Sequence, residues 1–511
     1  MAADQRAFDE AILLSRTRLK LPDLLHGAVE KITITTSSCE YERPWSINGG
    51  FATVYKFRTQ DGRHKALRCF RVAMKPEIKD RYAQLSDYFG AQAPDITASF
   101  HYYDNGLSID EVIEGVKKRN SRPVILMDWI DGITLLEKVD KLCKLRDQEG
   151  LAHLCEQWLI LLDTMRHAHI AHGDLSGENV MIRNDERLVL VDYDSIYIPP
   201  FQGLTPLVSG QPNYQHPDMH QRPFDEHIDD FSGYVIFIAL RALQVRPQLW
   251  DTYAPKGKLG QLLEANLLFT HNDFVHPGQS RLFSELEQLP DPLLQYAIRA
   301  LKYACFQPIE QVQLPPLDNE YRTIAYTCTA SAEATSDEQC LWINLALLKH
   351  AIHHQMTRDI IYLAERIEQM TQEPLAEKAL RDAVRTAKKQ FIESFRPEQV
   401  TIQADRSGKV LVRWKWPEEE LIQFAVVAWR SDRPPKQAEE PGTYLYQPVS
   451  RQQRESFQFQ VSQYASIYVQ VYFAIPDRVT SKTRMTWIYS EGFEHMAKHQ
   501  VIRRRTSLLN A

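Results

Sequence analysis

The feature that most constrains this chain is the segment His172-Gly-Asp-Leu-Ser-Gly-Glu-Asn179, followed by the apolar run Leu188-Val-Leu-Val191 that ends in Asp192. Ahead of it, Leu154, Trp158, Leu161, Leu162 and Met165 recur at helical spacing, so a long apolar helix over Leu151–His169 should deliver the chain into a loop. That loop carries a carboxylate, Asp174, and a carboxamide, Asn179. Asp174 is placed to orient an acceptor hydroxyl, and the Asn179 carbonyl oxygen suits a hard cation. A strand that ends in Asp192 presents a second oxygen ligand. Phosphoryl transfer asks for a positioned hydroxyl, metal ions on the triphosphate and positive charge near the transferred group. Asp174, Asn179 and Asp192 are therefore the candidate catalytic residues, with Asn179 and Asp192 as metal ligands.

The rest of the chain says how this segment is housed. At 511 residues the chain exceeds what one core usually organises. A helix is expected over residues 5–15, with Phe8, Ile12 and Leu13 on one side, and a strand over Lys31–Thr36. Ser46 to Arg71 reads as strand, glycine turn, strand, Asp61-Gly62 turn, strand. Asp229–Leu243 is nearly all apolar and reads as a buried helix. The pattern breaks at Leu314-Pro-Pro-Leu317. Residues 337–395 read as consecutive helices, the last beginning near Pro374. From Gln399 the texture alternates as VTIQA, KVLVRWKW, IQFAVVAWR, SFQFQV, SIYVQVYFAI and MTWIYS, which predicts a β-sandwich.

Charge and composition exclude some classes. A net charge of −6 offers no overall basic field, so nucleic acid is not an expected partner. Arg503, Arg504 and Arg505 read as a solvated basic tail. Seven cysteines without C-x-x-C spacing argue against a disulfide framework and fit a reducing cytoplasm. The N-terminus lacks the apolar run of a signal peptide, and no stretch is apolar enough for a membrane span.

Several segments, in order, resemble the protein kinase signature. The catalytic-loop pattern H-R-D-L-x-x-x-N stands as HGDLSGEN, and D-F-G as Asp192-Tyr193-Asp194. Gly210-Gln-Pro-Asn-Tyr-Gln-His-Pro-Asp218 is similar to G-T-x-x-Y-x-A-P-E, and Asp229-Asp-Phe-Ser232 to the start of the central helix. Leu126-Met-Asp-Trp-Ile-Asp-Gly132 resembles a hinge, with Met127 as gatekeeper and Asp128 to Ile130 facing adenine. The resemblance is closest to a group of bacterial kinase-like proteins through ALRCF at 66–70, HGDL at 172–175, LVDYD at 190–194 and NYQHP at 213–217. It implies an α+β bilobal kinase-like domain and an ATP-dependent serine/threonine-type kinase using Mg²⁺. The implied nucleotide contacts are Gly49, Gly50, Val54, Ala66, Arg68, Met127, Asp128 and Ile130. The run Tyr468-Val-Gln-Val-Tyr-Phe-Ala474 resembles the late strand of fibronectin type III domains, with Trp414 or Trp416 at their early core position. The resulting organisation is multidomain: an N-terminal extension over 1–40, a kinase-like domain over 41–317, a helical segment over 318–396, an all-β sandwich over 397–495 and a basic tail over 496–511. The C-terminal modules are expected to bind a protein substrate or partner.

The chain departs from the kinase pattern at several positions. Arg68 stands where the phosphate-contacting lysine is expected, and its fork is larger and always charged. Lys56 and Lys65 are nearby candidates for a displaced cation, or else solvated strand residues. Ile47 and Ala52 replace flanking glycines. Asp194 replaces the D-F-G glycine and is expected to point to water. Gly173 stands where regulated kinases carry arginine, while Ser195, Thr205 and Ser209 remain candidates for modification. Glu77, Asp80 and Asp87 are candidates for the helix carboxylate that pairs with the lysine, and Tyr82, Leu85 and Phe89 read as packing. Three readings stay open: an active protein kinase, a pseudokinase that senses nucleotide or scaffolds partners, and a small-molecule phosphotransferase with a similar H-G-D loop.

Overall fold

The computed structural model describes residues 5–35, 40–48, 52–71, 76–113, 116–206, 209–254, 266–327, 336–405, 407–452, 456–461, 466–478, 485–492 and 499–500. Gly49, Gly50 and the arginines at 503–505 lie outside the described residues, as does the side chain of Glu77. The chain is mixed α/β and divides into two compact units, Met1–Thr335 and Ser336–Ala511.

The first unit opens with an antiparallel sheet. Its strand order is Ala28–Val29, Ala52–Arg58, His64–Phe70, Val116–Asp128 and Phe100–Ile113, with Ser46–Asn48 paired to the second of these. The register sets Val54 opposite Arg68 and Lys56 opposite Ala66. On the next strand Ala66 faces Met127 and Lys65 faces Asp128. Cross-strand partners share a face of the pleat. Val54, Ala66, Arg68 and Met127 therefore lie on one side, and Tyr55, Leu67 and Leu126 on the other.

That second side is covered by the helix Gln5–Leu13, whose Phe8, Ala11 and Ile12 pack with Leu21 and Leu24 against Tyr55, Leu67, Leu107 and Val124. Burying side chains of the size of Phe8 and Ile12 is worth about 2 kcal/mol each. Leu13, expected on the same side, is 41% exposed; five residues beyond Phe8 at 100° each, it has rotated off the buried stripe. The helix also has a polar edge. Thr53 Oγ1 donates to Gln5 Oε1 at 2.7 Å and lies 3.1 Å from Asn48 Oδ1. Tyr55 donates to Asp9 at 2.7 Å and accepts from Gln5 Nε2 at 2.9 Å.

The remainder of the unit is mostly helical. Thr134 and Glu137 form a capping box that starts the helix Leu135–Leu145. The helix expected over Leu151–His169 runs Gln148–His167, because Asp147 accepts from the Gly150 N–H and starts it a turn earlier. A small antiparallel sheet of Leu188–Leu190, Val180–Arg183 and Gly132–Thr134 follows. The apolar run becomes the helix Asp230–Val245, buried at every position from Phe231 onward. Trp158 Nε1 donates to the Gly233 carbonyl at 3.1 Å and ties the two long helices together. Arg241 on the buried helix pairs with Asp291 at 2.8 Å, and Asp291 also caps the helix Pro292–Ala304 through the Leu294 N–H. The helix Asn319–Thr327 belongs to this unit: Tyr321 is fully buried and meets Phe237 edge-on at 5.7 Å. The Leu314–Leu317 break thus falls inside the unit.

Among the described residues, the second unit holds three helices and two antiparallel sheets. The helices are Asp337–His353, Thr357–Thr371 and Lys378–Glu393. The last begins at Lys378 and not near Pro374. Gln372 ends the preceding helix in the left-handed conformation at φ 57°, Glu377 is still extended, and the Arg381 guanidinium bonds the carbonyls of Leu375 and Ala376. One sheet joins Glu398–Ala404, Lys409–Lys415 and Ser456–Gln460; the other is built on Phe424–Arg430, Ser466–Arg478 and Met485–Tyr489. Trp429 of one sheet stacks on Phe459 of the other at 6.2 Å. Arg358 to Glu419 at 3.1 Å fastens a helix to the loop after Lys409–Lys415, and Lys388 Nζ to the Pro476 carbonyl at 2.8 Å fastens another to a strand. Among the described residues, no helix is long and apolar enough to cross a membrane.

Candidate functional site

The loop after Gln148–His167 is shaped by buried polar contacts. Asp229, at the head of the buried helix, accepts from the backbone N–H groups of His172 and Gly173. Burial pushes the Asp229 carboxyl above its usual range, while His172 and Arg222 pull it back. His172 Nε2 lies 2.8 Å from the Val191 carbonyl, and Nδ1 accepts from the Asp174 N–H at 3.3 Å. The Arg222 guanidinium reaches the Gly173 carbonyl. Gly173 itself has φ 75°, and a Cβ there would collide with the Ser195 carbonyl. Its glycine is required by the turn, independently of any lost arginine.

This frame places Asp174 and Asn179 together. Asn179 Nδ2 donates to the Asp174 carbonyl at 2.7 Å and to its Oδ2 at 3.1 Å. The other carboxylate oxygen accepts from the Gln211 N–H at 2.8 Å. Burial pushes the Asp174 carboxyl up, and nearby Asp192 adds to the effect. Because the amide nitrogen of Asn179 is engaged, its carbonyl oxygen is the atom left for a cation. The Val191 N–H donates to the Asn179 backbone carbonyl at 3.0 Å, so the end of the neighbouring strand brings Asp192 beside this loop. Asp192 adopts φ 63°, a left-handed conformation that costs a non-glycine residue energy and is typical of functional positions.

From the sheet, Arg68 closes the arrangement. Nη1 bonds Asp192 Oδ1 at 2.7 Å and Nη2 bonds Asp194 Oδ2 at 2.5 Å. The Arg68 side chain is 9% exposed, Asp194 17% and Asp192 49%. Asp194 therefore does not point to water. Its second oxygen accepts from the Tyr82 hydroxyl on the helix Pro76–Gln92. Tyr82 is thus more than packing, whereas Leu85 and Phe89 are buried as expected. Asp80 and Asp87 are exposed, and neither pairs with Arg68. Tyr193 between the two aspartates is buried against Phe89 and Phe100, with its hydroxyl on the Leu190 carbonyl at 2.9 Å.

The other candidates divide. Val54, Ala66 and Met127 share the face of Arg68, with Ala66 buried and the other two half-buried. Asp128 is exposed and pairs with Lys65 at 2.6 Å, and Ile130 is half-buried. Lys56 sits 4.5 Å from the Trp129 ring centre. Both lysines therefore have partners away from Asp192, and Arg68 is the cation that reaches it. Ser195 is buried, while Thr205 and Ser209 are exposed. Sequence reasoning missed Gln211, Arg222 and the Asp194–Tyr82 contact. The one available signal was a second carboxylate in the same strand-end loop as a buried arginine's partner. No protein-family model matches the sequence, and no curated protein matches it.

Proposed function

We propose that the first unit is a protein-kinase-like domain that binds Mg·ATP and transfers the γ-phosphate to a protein hydroxyl. The observation that carries this reading is the meeting of Asp174, Asn179 and Asp192 with Arg68 from the sheet. The donor set fits a hard divalent cation: the Asn179 carbonyl oxygen and the half-exposed Asp192 carboxylate are oxygen ligands of the kind magnesium takes. Bound there, the metal would neutralise phosphate charge. Asp174 would orient the acceptor hydroxyl and take up its proton, a task suited to a carboxyl whose burial raises its proton affinity. Arg68 would supply charge to the phosphates. Val54, Ala66 and Met127 would border the base. The second unit is read as a partner-binding module of the fibronectin type III kind, on the sequence resemblance of Tyr468–Ala474.

A second reading has its own support. Arg68 already engages one oxygen of Asp192, which favours a pseudokinase that holds nucleotide without transferring phosphate. One experiment separates the two. Purified protein with Mg²⁺ and labelled ATP should label itself or a test protein, and Asp174→Asn and Asp192→Asn should each abolish the signal. No transfer but thermal stabilisation by Mg·ATP selects the pseudokinase. Neither transfer nor stabilisation rejects the nucleotide site.

A further inference from the structure

We propose that Asp194 is the positioning residue for Arg68, anchoring the phosphate-facing cation from the loop that carries Asp192. The proposal rests on the nucleotide-site reading above and goes beyond it by assigning the cation's anchor.

An arginine on a strand has a long side chain, and holding it still costs rotamer entropy. A gripping cation must be fixed before its ligand arrives. The two terminal nitrogens of Arg68 are divided between two carboxylates, Asp192 and Asp194. Asp192 is half exposed, and its role calls for it to face a metal. Asp194 is the enclosed partner, and its remaining oxygen is held by Tyr82. With both oxygens engaged, the Asp194 carboxylate has one orientation, and so does the guanidinium arm on it.

The acidic side chains of the helix Pro76–Gln92 that the structure describes, Asp80 and Asp87, take no part. That helix reaches the site through a tyrosine hydroxyl instead. The two departures then explain each other. A planar fork with two terminal nitrogens can serve two carboxylates at once, which a single ammonium does with less geometric control. An arginine at position 68 calls for a second acceptor, and Asp194 is that acceptor.

The test uses the full chain with Mg·ATP as the probe, following affinity by calorimetry and folding by the melting temperature of the nucleotide-free protein. Asp194→Asn is expected to weaken Mg·ATP binding by about tenfold or more, as loss of a charge-assisted bond does. Asp194→Glu should recover part of it, and Tyr82→Phe should weaken binding by a smaller factor. Arg68→Met combined with Asp194→Asn should be no weaker than Arg68→Met alone, since the anchor has nothing left to hold. Wild-type binding that Asp194→Asn or a folded Tyr82→Phe leaves unchanged, or losses that simply add in the double variant, would overturn the anchor while leaving the nucleotide site intact. Absence of Mg·ATP binding by the wild type would overturn both.

Discussion

At His216 the two ring nitrogens face partners of opposite kind. Nδ1 accepts from the Asp218 N–H at 3.1 Å, and Nε2 lies 3.0 Å from the Ala304 carbonyl. Only the neutral ring, with its proton on Nε2, satisfies both. Burial accordingly holds the imidazole below its ordinary range, with the Ala304 carbonyl and Asp218 opposing. The unfolded chain then takes up a proton that the folded chain resists. The stability this group contributes is complete above the ordinary value of about 6.5 and is lost as pH falls through the depressed folded value. Each unit by which folding lowers the value is worth about 1.4 kcal/mol. Urea unfolding at pH 7.5 and pH 5 should show a larger loss on acidification in wild type than in His216→Gln; equal losses would remove this histidine from the account. His216 was visible in the sequence as part of NYQHP, yet its paired partners were not, since Ala304 lies far along the chain. Gly173 shows the same limit. The sequence marks it as a departure, while its φ and the nearby Ser195 carbonyl, which make glycine necessary, exist only in the folded loop.

Among the elements, the buried helix Asp230–Val245 carries a buried ion pair. Asp291 both caps the helix Pro292–Ala304 and pairs with Arg241 in a place where each side chain is 5% exposed or less. Asp291→Ala removes cap and ion pair together, and is expected to cost about 3–5 kcal/mol in denaturant unfolding. A loss below about 1 kcal/mol would show that the contact is not a structural one. Elements of this kind were the most legible part of the chain. Periodicity placed the long helices and the alternating strands from Gln399 onward, because repeating apolar positions report local geometry. Element ends were less legible. The helix at Lys378 starts late because a left-handed Gln372 and the Arg381 contacts hold the intervening residues outside it, and neither has a composition signal. The candidates Asp174, Asn179 and Asp192 could be placed on a loop and at a strand end for the same reason as the helices, since a periodic helix and an apolar run flank them. The contacts of Asp194 were not legible, because its partners Arg68 and Tyr82 come from a distant strand and helix.

For the molecule as a whole, the first unit's sheet is completed by residues that look dispensable in sequence. Phe8, Ile12, Leu21 and Leu24 fill its second face, at about 2 kcal/mol each. A chain begun at residue 41, at the expected start of the kinase-like domain, would leave Tyr55, Leu67, Leu107 and Val124 open to water. It should aggregate or melt far below a chain begun at residue 5 when the two are compared by thermal unfolding and size-exclusion chromatography. Matching melts would mean that the helix is only an ornament. The polar edge of that helix has a separate use. Gln5 holds Thr53, which neighbours Asn48 across the paired strands Ser46–Asn48 and Ala52–Arg58. Arg6 is a solvent-facing neighbour on the same helix. A fluorophore attached there would report optically whether Mg·ATP disturbs the Gln5–Thr53–Asn48 contacts, without altering Asp174, Asn179, Asp192 or Arg68.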